Sequence, residues 1–306
     1  MKDILLEILY ILAGLVSITT ALYALKDEKH PSRIGTALFW GIFGFIFILG
    51  KVLPSVVVGV LLLVMGTLAA MNKVTFGSLK NADEAFREKS EKVLGNKLFI
   101  PALSIGITAF AIAQAFPQKL GGLVGLGAGA ILSIILCLAI TKSEPKNIGY
   151  DGSRLLQQVG AACILPQLLT ALGALFNAAG VGEVISTGIG GVIPEGNILA
   201  GVIAYCVGMA IFTMIMGNAF AAFAVITAGI GMPFVFAQGA NPAIAGILGL
   251  TAGYCGTLMT PMAANFNIVP AAILETKNKN RVIISQVPFS IALFITHIVL
   301  MYVWAF

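Results

Sequence analysis

The chain has 306 residues, of which 58% are hydrophobic and only 10% are charged, and its mean hydropathy is +0.99. This composition excludes a soluble globular domain and predicts an all-α polytopic protein embedded in a lipid bilayer, here the inner (plasma) membrane. The net charge of +5 does not indicate a partner of nucleic acid, because the basic residues lie in loops between apolar segments and report orientation instead.

Six apolar segments come first along the chain, each near the ~20 residues that a helix needs to cross the hydrocarbon core. They cover residues 4–25, 34–50, 52–71, 98–116, 120–141 and 155–179. Within the fifth, Gly121, Gly125 and Gly129 lie four residues apart, which predicts a stripe along which two helices pack closely. A Gly-rich, weakly acidic segment, residues 180–195, follows the sixth.

The distribution of Lys and Arg predicts the sidedness of these segments, because basic residues accumulate in cytoplasmic loops. Fifteen of the eighteen fall in the first, third, fifth and last loops, for example Lys26, Arg87, Lys146 and Lys277. Those loops are therefore predicted inside, whereas the amino terminus, residues 180–195 and the carboxyl terminus are predicted outside.

The region from Gly196 to Leu274 contains no Asp, Glu, Lys, Arg or His. It is nevertheless interrupted twice by small polar residues, at residues 217–220 (Gly-Asn-Ala-Phe) and at residues 260–267 (Thr-Pro-Met-Ala-Ala-Asn-Phe-Asn). Lipid offers no hydrogen-bond partners to the backbone, so a helix is interrupted only beside protein or a water-filled cavity. Two interruptions therefore predict a binding site at membrane depth.

Sidedness requires an odd number of crossings between the outer segment 180–195 and Lys277. One solution is a re-entrant hairpin that turns at Gly217 and Asn218, followed by a single broken helix over residues 242–275; the alternative is three full crossings. We favour the hairpin, because about 34 residues are too many for one straight crossing and suit two half-helices with an unwound middle. With a last span at 282–306, the chain has about eight crossings plus the hairpin.

The two interruptions have chemistry in common. A half-helix that begins after Asn218 or after Asn265 offers free N–H groups and about half a positive charge, which attracts an anion without a cationic side chain. Unwound carbonyls, together with polar side chains near the breaks, can hold a small cation or a polar substrate. Those side chains belong to Asn218, Thr257, Thr260, Asn265 and Asn267. The alternative interpretation is that these residues only hold helices together through hydrogen bonds.

Residues 212–223, with Gly217-Asn218-Ala219 at the centre, resemble the Ser-Asn-Thr hairpin of the ion transporter superfamily, which carries citrate, dicarboxylates and related anions. Residues 242–270 resemble the broken helix of that superfamily with its Thr-Pro-Pro-Asn turn. The chain differs in having Gly217 for Ser, Ala219 for Thr, and two extra residues before Asn265, so backbone ligation of a cation is expected. The resemblance implies a substrate and ion site at the two motifs. Its residues are Gly217, Asn218, Ala219, Thr257, Thr260, Pro261, Asn265 and Asn267.

Over nearly its full length, and especially at residues 256–270, the chain is similar to a bacterial membrane family of unknown function whose members typically lie beside a second small membrane protein. This resemblance implies a permease subunit for 5-oxoproline (pyroglutamate). Carriers of this kind place the site between two inverted hairpin-and-broken-helix units, of which the sequence contains one. A companion membrane protein is expected to supply the other.

These observations predict a subunit of a secondary transporter for a small carboxylate, with residues 1–150 as scaffold and oligomerisation surface and residues 151–306 as the transport region. An enzyme is not expected, because the carboxyl-terminal half lacks convergent acids, bases or a metal site. No cofactor is expected, and Na⁺ is the predicted coupling ion because the membrane centre has no titratable carboxylate. The alternative is an accessory subunit without its own substrate site.

Overall fold

The computed structural model describes residues 2–116, 119–191 and 196–306. Within these ranges the protein is helical throughout and has no strand. Seven helical segments are long and apolar enough to cross a membrane, which confirms the predicted all-α polytopic membrane fold. They are Lys2–Lys26, Glu84–Ala115, Gly121–Thr141, Lys146–Ala178, Ile198–Met216, Ala219–Gln238 and Arg281–Trp304.

The chain forms two compact units, Met1–Gly160 and Ala161–Phe306. Seven helices make up unit 1 within the described ranges. They are α1 (Lys2–Lys26), α2 (Arg33–Leu49), α3 (Ser55–Ala70), α4 (Glu84–Leu94), α5 (Phe99–Ala115), α6 (Gly121–Thr141) and α7 (Lys146–Val159). The predicted glycine stripe does bring α6 close to α5, since a Cβ added at Gly125 would lie 2.8 Å from the Ala109 carbonyl oxygen and one at Gly129 would lie 2.7 Å from that of Ile105. Gly121 instead begins α6 with a φ of +75°.

Residues 72–83, which we call the strap, cross one end of unit 1 and are fastened to it by hydrogen bonds. The Asp27 carboxylate accepts from the Ser78 amide at 2.6 Å and from its hydroxyl at 2.7 Å. The Gln157 side-chain oxygen accepts from the Gly77 amide at 3.2 Å, and the Tyr150 hydroxyl accepts from the Lys80 amide at 3.0 Å. The strap therefore joins α7 to the end of α1.

Unit 2 is built around a hairpin and a broken helix. Its α-helices are α8 (Leu165–Ala178), α9 (Val181–Gly190), α10 (Ile198–Met216), α11 (Ala219–Ile226), α12 (Met232–Phe234), α13 (Pro242–Leu258), α14 (Ala264–Ile273) and α15 (Arg281–Trp304). A π-helical segment, Thr227–Gly231, joins α11 to α12. The core lies between α10 and α13, where Tyr205, Met209 and Ala252 are fully buried.

Two segments differ from the sequence-based expectation. The sixth predicted span, 155–179, begins inside α7, which is helical from Lys146 and ends where Gly160 has a φ of +56°. Hydropathy missed this part of the helix because its buried residues are polar, among them Arg154 and Gln157. The segment 180–195, for which the sequence predicted no helix, contains α9 within its described part; residues 192–195 lie outside the described ranges.

Candidate functional site

The first predicted interruption is the turn of a helical hairpin. Helix α10 ends at Met216, and Gly217 follows in the left-handed conformation with a φ of +64°. Asn218 is extended and caps α11, because its side-chain oxygen accepts from the Phe220 amide at 2.9 Å. A glycine that tolerates positive φ followed by a strong N-cap residue explains why the chain reverses here.

The second interruption separates α13 from α14, and residues 259–263 between them are not helical. The Asn267 side chain closes this break from α14, since its Nδ2 donates to the Thr257 carbonyl at 2.8 Å and to the Thr260 carbonyl at 2.6 Å. Asn267 is only 1% exposed. It thus donates to one carbonyl in the last turn of α13, which has no helical partner, and to one carbonyl of the non-helical segment.

The two interruptions lie against each other. A Cβ added at Gly217 would collide with the Met262 carbonyl oxygen and would lie 2.6 Å from its carbon and 3.0 Å from the Ala263 nitrogen. The Thr260 hydroxyl donates to the Met214 carbonyl, one turn before the hairpin tip, at 2.9 Å. The positions of the two interruptions in the sequence do not predict this contact. It places the tip of the hairpin against the unwound turn.

The remaining predicted residues divide into buried and accessible groups. Ala219 and Thr257 are buried, and the Thr257 hydroxyl donates to the Tyr254 carbonyl at 2.6 Å within its own helix. Asn218 is half-buried and its Nδ2 donates to the Thr170 hydroxyl at 3.3 Å. Pro261 and Asn265 are exposed, and the Asn265 side chain makes no hydrogen bond to any residue of the described ranges.

Four further residues, which the sequence did not indicate, border the site. Thr170 binds Asn218, as described above, and the Ser290 hydroxyl of α15 donates to the Cys255 carbonyl at 2.6 Å. Thr213 is fully buried, and its hydroxyl has no partner among the described residues. The Tyr254 ring lies between those of Phe220 and Phe266, with centroid separations of 5.9 and 6.3 Å. A single Ser or Thr in an apolar helix is usually a packing residue, so the sequence gives no signal for these positions.

A comparison with known proteins supplies the family. Residues 7–306 match the family described as protein of unknown function, DUF979. The chain belongs to the DUF979 family. The match covers nearly the whole chain, and it includes the hairpin and the broken helix of this DUF979 protein. No curated protein and no solved structure matches the chain.

The electrostatics of this DUF979 site come from the backbone and from neutral side chains. The first turns of α11 and α14 each carry about half a positive charge, and no ionisable carboxylate or cation lies between Gly196 and Leu274. At this site, the buried oxygen atoms Asn267 Oδ1 and Thr213 Oγ1 have no hydrogen-bond partner among the described residues. The described ranges contain no group of three or more His, Cys, Asp or Glu residues that could hold a metal ion.

The π-helical segment of the hairpin is held by a buried tyrosine. The Tyr205 hydroxyl lies 2.8 Å from the Thr227 hydroxyl, and the Tyr205 ring fills the space beside two glycines. A Cβ added at Gly231 would lie 3.0 Å from this ring, and one at Gly249 would lie 2.5 Å from it. Short π-helical segments are often found beside functional sites, and this one shapes the arm of the hairpin that starts at Asn218.

Proposed function

We propose that this DUF979 protein is a subunit of a secondary active transporter for a small carboxylate, which binds where the hairpin tip meets the broken helix. The observation that supports this function most directly is the contact of Gly217 with Met262 and Ala263, which joins two helix interruptions inside a region without charged side chains. A structural helix bundle has no need of two interruptions in contact, whereas an alternating-access carrier builds its site from them.

The charge of the site supports a substrate with one carboxylate. Two helix N-termini of about +0.5 each together balance about one negative charge. No Arg or Lys lies between Gly196 and Leu274 to neutralise a second one. A cyclic monocarboxylate such as 5-oxoproline fits this charge, and it is also the substrate that the sequence resemblance to a membrane family of unknown function implies.

The unpartnered oxygen atoms support a coupling cation. Asn267 Oδ1 and Thr213 Oγ1 are buried acceptors without donors in the described part of the chain, and such atoms are costly unless a cation or water meets them. Oxygen ligands suit a hard cation, so Na⁺ is the proposed coupling ion.

We further propose that the site is shared with a companion membrane protein in a heteromeric complex. The described ranges contain one hairpin with one broken helix, whereas carriers with inverted repeats use two such units. Asn265 is exposed with no hydrogen bond to the described residues, and a bare amide facing lipid at membrane depth is costly. A second copy inserted the opposite way is disfavoured, because fifteen of eighteen basic residues fall on one predicted side.

Uptake of labelled 5-oxoproline by proteoliposomes tests the proposed function. The chain is reconstituted alone and together with its genomic neighbour. The variants Asn218→Leu and Asn265→Leu are compared with the control Asn280→Leu, which changes an exposed Asn in the loop before α15. We expect uptake only with the companion, its loss in N218L and N265L, and its retention in N280L. Full uptake by N218L and N265L would instead establish the accessory-subunit alternative.

A further inference from the structure

Unit 1 contains a large apolar groove, none of whose lining residues belongs to the proposed transport site. Helices α1, α6 and α7 line it, and its volume is about 940 Å³. On α1 the lining runs from Leu6 to Thr19, and on α6 from Leu123 to Ile135. At 1.5 Å per residue the groove is therefore about 20 Å long. Its floor is closed where Gly127 of α6 lies against the Leu9 side chain.

One end of the groove is polar. Ser153 of α7 lines this end and is 1% exposed, and its hydroxyl has no partner among the described residues. The Thr19 hydroxyl, which also belongs to the lining, is satisfied by the Leu15 carbonyl at 2.8 Å. Ser153 Oγ is thus a buried donor at the end of an apolar channel, and a donor of this kind indicates a missing acceptor.

Basic residues mark the same end of all three helices. Helix α1 ends at Lys26, Lys142 directly follows α6, and α7 begins at Lys146. All three are exposed, and Lys146 pairs with Glu144. The lining of α1 and of α6 stops seven residues before Lys26 and Lys142, which is about 10 Å along each helix. This distance places the ammonium groups near the headgroup layer when the apolar part lies in the hydrocarbon core.

We propose that this groove binds an anionic phospholipid, with an acyl chain along α1 and α6 and the phosphate near Ser153 and the three lysines. Basic pockets between membrane helices on the cytoplasmic side bind anionic headgroups, and the loops that carry these lysines are the ones predicted inside. The ligand is thus defined by two features of one molecule: an apolar chain of about 20 Å and a negative charge at one end.

A transmembrane helix of another protein fits the groove less well. Such a helix needs about 30 Å to cross the core and is about 10 Å wide, so a 20 Å segment fills roughly 1,600 Å³. The groove is shorter, and residues Ile148 to Ser153 of α7 line its polar end, across the path that a helix would need to leave the membrane. The three lysines would also contribute nothing to the binding of an apolar helix.

Lipid retention by the purified full-length protein tests the proposal. The protein is extracted from a membrane that contains both phosphatidylglycerol and phosphatidylethanolamine, washed extensively in detergent, and assayed for bound phospholipid by native mass spectrometry. Ala130→Phe fills the groove from α6, and Ala292→Phe places the same bulk on an exposed position of α15 as a control. A triple variant Lys26→Gln, Lys142→Gln, Lys146→Gln removes the basic end, and Lys277→Gln, Lys279→Gln, Arg281→Gln removes as many charges elsewhere.

We expect wild type and both controls to retain phosphatidylglycerol in preference to phosphatidylethanolamine, and A130F to retain little of either lipid. In the lysine variant, the ratio of retained phosphatidylglycerol to phosphatidylethanolamine should fall about fivefold for each lysine removed. Thermal unfolding of each variant checks that it is folded. Equal lipid retention by A130F and A292F, or equal retention of both lipids by wild type, would overturn the proposal. So would a companion protein that cross-links to a cysteine placed at position 130.

Discussion

Gly217 combines a left-handed backbone with a close contact to another segment of the chain. Its φ is +64°, and a Cβ would lie 2.6 Å from the Met262 carbonyl carbon. Gly239 offers a matched comparison, because its φ is +98° but nothing lies within 4 Å of an added Cβ. The contact of the hairpin with the broken helix therefore depends on the absence of a side chain at one position.

We predict that Gly217→Ala destabilises the protein more than Gly239→Ala does. The left-handed conformation alone costs a non-glycine residue about 1–2 kcal/mol, and overpacking at Gly217 adds about 1–3 kcal/mol. Thermal unfolding in detergent measures the difference, and G217A should also lose substrate uptake. Equal stability of the two variants would show that the hairpin tip moves away from Met262 without cost.

Two asparagines of the broken helix have separable roles. Asn267 is buried and donates to two carbonyls, whereas Asn265 is exposed and makes no hydrogen bond within the described ranges. We predict that Asn267→Ala lowers the free energy of unfolding by about 1–3 kcal/mol for each carbonyl left without a donor. Asn265→Ala should change stability by less than about 0.5 kcal/mol.

Uptake assays separate these roles further, since Asn265→Ala is expected to impair transport while the protein stays folded. Asn267→Ala is expected to impair both. A loss of stability in the Asn265 variant would contradict the assignment of Asn265 to the substrate or companion surface.

At the scale of helices, the hairpin and the broken helix could be predicted because local chemistry defines them. Gly217-Asn218 combines a residue that tolerates positive φ with an N-cap, and Thr260-Pro261 interrupts an apolar run. Helix α7 could not be predicted in the same way. One of its buried polar residues, Gln157, has its partner far away in sequence, since it accepts from Gly77, 80 residues earlier. The contact of Thr260 with Met214, 46 residues apart, was likewise outside the reach of local patterns.

The strap is held by a titratable group, the Asp27 carboxylate at the end of α1, which accepts two hydrogen bonds from Ser78. Burial raises the pKa of the Asp27 carboxyl. Hydrogen bonds from Ser78 and Lys29, together with the charge of His30, lower it by a larger amount, so the pKa lies below its ordinary value. A carboxylate whose pKa is lowered by folding stabilises the folded state above its unfolded pKa of about 3.9. This contribution is lost as the pH falls through the lower pKa of the folded state.

We therefore predict that the Ser78 amide is protected from hydrogen exchange above about pH 4 and loses this protection as the pH falls further, through the lowered pKa of Asp27 in the folded state. The Thr75 amide, which donates to the Thr36 hydroxyl at 3.0 Å, is the internal control because its acceptor does not titrate. Asp27→Asn should make the protection of Ser78 independent of pH. Equal protection of Ser78 in wild type and in the Asp27→Asn variant at about pH 7 would show that the carboxylate does not hold the strap.

At the scale of the whole molecule, charge is segregated from the proposed site. All of the Lys, Arg, Asp, Glu and His residues lie outside the stretch from Gly196 to Leu274, which contains both interruptions. His297 of α15 is the titratable histidine of the last span, and its Nδ1 lies 2.7 Å from the Leu293 carbonyl of its own helix. A proton-coupled carrier usually uses a carboxylate or a histidine that gains and loses a proton near the substrate, and the region from Gly196 to Leu274 contains neither.

Sodium coupling follows from this segregation and is tested on the complex with its companion. Uptake should follow an imposed Na⁺ gradient and ignore an imposed pH gradient between about pH 6 and 8, because no side chain beside the breaks titrates there. Thr213→Val removes one unpartnered buried oxygen while keeping the side-chain shape. We expect at least about a tenfold loss in apparent Na⁺ affinity, the size expected for one lost charge-assisted contact. The stability of the protein should change little. His297→Gln is the control and should leave both dependences unchanged. Uptake driven by the pH gradient, with no response to Na⁺ and with loss in H297Q, would assign the coupling to a proton on His297 and remove the cation from the two breaks.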